Sequence, residues 1–159
     1  MAVNTAKVAN RRTLHFANFQ EVLREAEQLA AGKYTTLGNH SYGQILKHLA
    51  IGMTASIDGG ITPAPWFVRW LAPLFKKKII RGPMSAGFNL SPTAESELWP
   101  GETSTADGLD ALRKAIRRLE TETTRAPSPF LGKLTREESD QLHLRHSELH
   151  LSFVVPELV

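Results

Sequence analysis

The sequence predicts an all-α four-helix bundle with one long connection, on three observations. Four segments open on capping residues and carry apolar side chains at helical spacing. A stretch from about Gly60 to Gly101, rich in proline, glycine and aromatics, separates the second segment from the third. A chain of 159 residues with 42% hydrophobic content suits one domain, residues 1–159, burying roughly 70% of its unfolded surface. So long a crossover also means that the bundle is not a simple up-down-up-down array.

The first helix is expected from about Phe19 to Ala31. Asn18 is its N-cap, Glu21 completes a capping-box-like start, and Gly32 is a natural stop. Its apolar stripe is Phe19, Val22, Leu23, Ala26, Leu29 and Ala30. The second begins at Ser41 with Gln44 in the reciprocal position and carries Ile45, Leu46, Leu49, Ile51 and Met53 up to Asp58, Gly59 and Gly60. His48 lies in its middle. The third follows Ser104, with Asp107 three residues on, and runs through Leu109, Leu112, Ile116 and Leu119. Its Arg113, Lys114, Arg117 and Arg118 read as a solvated face. The fourth starts from the Thr135/Glu138 capping box and is expected to reach about Val155, before Pro156.

Residues 1–12 are expected to form a loose arm. Within the 60–101 connection, PWFVRWLAPLFKKKIIRG is an amphipathic piece in which Trp66, Phe67, Trp70, Leu71, Leu74 and Phe75 precede Lys76, Lys77, Lys78 and Arg81. Such a pattern can lie on a membrane interface, but aromatics capping the bundle or forming a subunit contact are the simpler reading. Pro73 is expected to limit any helix there. The N-terminal MAVNTAKVANRR has no apolar core of a secretory signal, and nothing approaches 18 uninterrupted apolar residues, so a cytoplasmic protein is expected. The net charge of +3 permits an anionic substrate without demanding one. No recognition-helix or RNA motif supports nucleic-acid binding.

The chemistry is concentrated in DQLHLRHSELHLSF. There His143, His146 and His150 fall within roughly 60° of one another on one helix face, and they are half of the six histidines. The chain has no cysteine, so a metal would be held by nitrogen and oxygen donors, a set suited to zinc, nickel, iron or manganese. His146 and His150 have the i, i+4 spacing at which two imidazoles chelate one ion. A third ligand must come from another helix, and His48 is the candidate, because a mid-helix imidazole among apolar neighbours is costly without a partner. Glu148 does not make HSELH a zinc-protease motif: that pattern needs the acid directly after the first His, and position 148 lies about 160–200° from the pair.

The segments RRTLHF, GNHSYGQILKHLA and LHLRHSELHLSFVVPE together resemble the DinB-like superfamily of four-helix bundle proteins, and more closely an uncharacterised DinB-related bacterial family. The resemblance covers nearly the whole chain. It implies an up-down-down-up bundle, frequent homodimers, and a divalent metal, often zinc or nickel, on residues matching His48, His146 and His150. Where many members carry Trp before the helix-two Ser, this chain has His40, so that edge of the pocket is not carried over. By the same resemblance the expected function is that of a metal-dependent transferase using a low-molecular-weight thiol, or a hydrolase, acting on a small molecule. His143 is a candidate base or supporting group, or else structural. Tyr42, Gln44, Asn39 and Asp140 read first as capping or solvated groups. The alternative to an enzyme is a metal-stabilised bundle that binds a ligand or protein partner. Nucleic-acid and membrane contact are not expected.

Overall fold

The structure, a computed structural model, describes residues 2–87 and 91–157; positions 88–90 of the long connection lie outside the described residues. It is mostly helical. In chain order it contains α1 (Phe19–Ala31), β1 (Tyr34–Thr36), α2 (Tyr42–Asp58), α3 (Trp66–Arg81), α4 (Pro92–Leu98), α5 (Thr105–Thr121), α6 (Arg136–Leu151) and β2 (Val154–Pro156). The core draws on α1, α2, α5 and α6, with Val22, Leu46, Met53, Leu112, Leu119 and Leu151 almost wholly buried.

The predicted caps form. Asn18 accepts from the Glu21 N–H, and Ser104 from that of Asp107, while Ser41/Gln44 and Thr135/Glu138 make reciprocal capping boxes. Glu21 reaches back to the Ala17 N–H, one residue before the expected position. Each cap satisfies N–H groups that have no intrahelical partner.

The α2–α5 contact is the most extensive in the molecule, and glycine makes it so. Gly43 lies against the backbone of Thr103 and Ser104, and a Cβ on Gly108 would sit 2.5 Å from the Gly43 carbonyl oxygen. Only bare backbone fits at that crossing. The basic residues of α5 face outward as expected, with Arg113 pairing with Glu27 and Arg118 with Asp58 and Glu122.

Two expectations need correction. The last helix ends at Leu151, not near Val155; Val154–Pro156 is instead a strand antiparallel to Tyr34–Thr36, with Thr36 opposite Val154. The β-branched valines favour extended backbone, and Val154 is fully buried there. Pro73 does not stop α3, which continues to Arg81. Pro73 and Arg69 are both exposed, so the carbonyl left without its helical donor is on the water side. The N-terminal dozen make a few contacts with the bundle: Asn39 clasps Val3 through both its N–H and its carbonyl, and Arg12 bonds the Ser152 carbonyl and pairs with Glu25 at 2.6 Å. Finally, the connection contains the short helix α4, capped by Ser91 with Pro92 in its first turn.

Segment RRTLHF proves to be a clamp on α6. The Phe16 N–H donates to Glu148 and its carbonyl accepts from Arg145, each at 2.7 Å, while Arg145 and Glu148 pair with one another. Glu148 therefore points away from the histidine stripe. A second clamp is the buried Arg125, which donates to the carbonyls of Leu119 and Glu122 and to Asp140, fastening the α5–α6 connection to both helices.

Candidate metal centre

The capping box that fixes the start of α2 places His48 two turns into the helix, facing α6. There His48 Nε2 lies 3.2 Å from Nε2 of His146 and 3.2 Å from Nε2 of His150. The ring planes are steeply inclined to one another, at 69–84°. His48 Nδ1 is 3.0 Å from the Leu98 carbonyl, which can only accept, so this nitrogen carries the proton. His48 Nε2 is left as a lone pair pointing at the other two rings, the orientation that second-sphere bonds give to ligating histidines.

One lone pair cannot satisfy two neighbouring ring nitrogens, and protonating the cluster is disfavoured. Burial pushes the His48 imidazole down to about 4, partly opposed by its bond to Leu98. Burial first, then the neighbouring imidazoles, holds His146 and His150 well below the ordinary histidine value. Three neutral donors remain, and a cation fits them. With Zn–N bonds of about 2.0–2.1 Å, tetrahedral geometry puts ligand nitrogens about 3.3 Å apart, close to the observed 3.2 Å. His48, His146 and His150 could thus hold a metal ion. No carboxylate among the described residues joins them, and three ligands leave open the remaining position of a tetrahedral ion.

One wall of the site is Trp99. Its indole stacks on His40 at 3.6 Å and on His48 at 3.9 Å, with interplanar angles of 8° and 5°. His40 therefore belongs to the edge of the site without ligating, and Trp99 supplies an indole there from a different segment. Burial lowers the His40 pKa against the opposing charge of Glu95.

A family model described as protein of unknown function (DUF1569) matches residues 8–157. The chain belongs to this family. No curated protein and no solved structure matches it. The family region spans the segments that build the site, from the RRTLHF clamp to the end of β2.

Of the residues singled out from the sequence, His48, His146 and His150 meet. His143 does not join them: it is buried one turn earlier on α6, with burial and then Arg125 pushing it down to about 4. Tyr42 donates to the Ala26 carbonyl in the core, Gln44 caps α2, Asn39 holds Val3 and Asp140 pairs with Arg125. Sequence reasoning missed Trp99 and the Leu98 carbonyl. They lie about fifty positions from His48, and no periodicity connects them to it.

Proposed function

We propose that this is a DinB-like four-helix bundle, with α1, α2, α5 and α6 in up-down-down-up order, whose His48, His146 and His150 bind one divalent ion, zinc or nickel foremost. The observation that carries the reading is the convergence of three imidazoles, with the Nε2 atoms of His146 and His150 each 3.2 Å from that of His48. On this reading the protein is a metal-dependent transferase using a low-molecular-weight thiol, or a hydrolase, acting on a small molecule. When bound, such an ion polarises a substrate oxygen and acidifies a thiol or water.

The chain's own residues do the rest. Leu98 fixes the His48 tautomer, and the Trp99 indole excludes water from one side of that ring. His143, one turn from His146 and neutral near pH 7, can accept a proton at its free ring nitrogen.

A second reading is a metal-stabilised module that binds a partner. It is favoured by the outer face of α3, where Trp66, Trp70 and Leu74 are each about three-quarters exposed. Metal-dependent stability without turnover of electrophile and thiol would favour it over an enzyme.

The metal is tested by purifying the untagged protein and counting bound ions by elemental analysis after loading with zinc or nickel. One ion per chain is expected, with strong loss in His48→Ala and His150→Ala because two donors hold an ion poorly. Full stoichiometry in both variants would exclude the three-histidine site.

A further inference from the structure

A cavity of about 1080 Å³ extends from the three imidazoles to the underside of α3. It lies at the upper end of the range of small-molecule sites, far larger than a thiol or water requires. Ser139, His143, His146 and His150 form a single polar stripe along its α6 wall, and scattered polar side chains such as Asn39, Ser56, Ser85 and Ser128 lie elsewhere around it. Opposite and beside that stripe the surface is mostly apolar: Phe67, Leu71, Phe75 and Ile79 come from α3, and Leu142 and Leu149 flank the histidines. Two charged side chains, Lys78 and Glu95, also line it.

An ion held by three neutral imidazoles keeps its full positive charge, so the head of a ligand reaching it should be anionic. The apolar wall demands something else of the remainder. We propose that the cavity takes an amphiphile of the fatty-acyl class, with its anionic head at the histidines and its hydrocarbon chain between α3 and α6. The position of the head rests on the metal reading above; the chain site rests on the cavity alone.

The probes are butanoate, octanoate and dodecanoate, titrated calorimetrically into the zinc-loaded full chain and into chelator-treated protein. Affinity should rise about tenfold or more at each step, below a ceiling of about fourfold per methylene, the equivalent of about 0.8 kcal/mol. Chelation should weaken all three by a similar factor without removing the dependence on chain length. Ala72→Trp, which fills the space beneath α3, and Phe75→Ser, at a half-exposed position that tolerates a polar group, should each reduce dodecanoate binding about tenfold and spare butanoate. Trp70→Ser, on the outer face of α3, should change nothing.

Equal affinities for the three acids overturn the proposal even where zinc binds at one per chain. Loss of dodecanoate binding in Trp70→Ser but not in Ala72→Trp or Phe75→Ser also overturns it, by placing the lipid on the outer surface. Chain-length dependence in a protein that takes up no metal supports the acyl site and removes the metal reading alone.

Discussion

His48 shows how one residue takes its chemistry from its surroundings. An imidazole in water is protonated below about pH 6.5. This one is stacked on Trp99 and donates its Nδ1–H to the Leu98 carbonyl, and burial, only partly opposed by that bond, keeps its Nε2 unprotonated down to about pH 4. His143 is held to about the same value by burial. Both pKa values lie below that of an unfolded histidine, so between about pH 6.5 and 4 the unfolded chain binds more protons than the folded one. Stability of the metal-free protein should therefore be complete above pH 6.5 and fall as the pH drops toward 4. Thermal melts of chelated protein from pH 7.5 to 4.5 check this, and His143→Leu should flatten the decline. A midpoint that rises on acidification would contradict the burial of neutral imidazoles.

At the scale of elements, the site depends on how α2 is held against α5 and how α6 is held by the N-terminal segment. Gly43 and Gly108 let two backbones touch, and a methyl group at position 108 would have to displace the Gly43 carbonyl and press on the Cβ of Leu46 at 3.0 Å. Gly108→Ala should cost about 1–3 kcal/mol, the usual range for overpacking, although alanine is the better helix former. Urea denaturation measures it; a stabilised variant would mean that the helices cross further apart. The Arg145–Glu148 pair is almost fully buried and also serves both backbone groups of Phe16. Glu148→Leu leaves Arg145 without its counter-charge and should cost about 3–5 kcal/mol, while the three metal-binding imidazoles keep their places. Lost stability with retained metal stoichiometry is the expected combination. A loss of metal with unchanged stability would mean that Glu148 belongs to the centre.

For the whole molecule, a ligand bound by α2 and α6 together is a crosslink that only the folded chain can make. Metal at a hundred times its dissociation constant should add about 2.7 kcal/mol, raising the melting temperature by roughly 5–10 °C for a chain of this size. Scanning calorimetry with and without zinc, and with His150→Ala as control, measures the effect. An unshifted melting point in saturating zinc would sink the proposed crosslink. No described helix is long and apolar enough to cross a membrane, and the exposed aromatic face of α3 remains the surface available to a partner.

Much of this was legible in the sequence because it is local. A side-chain oxygen three residues before an N–H at a helix start needs no tertiary information, and so Asn18, Ser41, Ser104 and Thr135 marked four helices. The spacing of His146 and His150 likewise follows from 3.6 residues per turn. The end of α6 was misread because Val154 and Val155 become a strand only through pairing with Tyr34–Thr36, more than a hundred positions away. Pro73 was misread as a stop because its tolerance depends on which side of α3 faces water. By itself the sequence determined where four of the helices begin, their caps and the i, i+4 imidazole pair, all set by interactions within a few residues. Only the tertiary structure decided that Trp99 and Leu98 fix His48, that Glu148 is a clamp and that His143 stands apart, because each depends on which distant segments the core brings into contact.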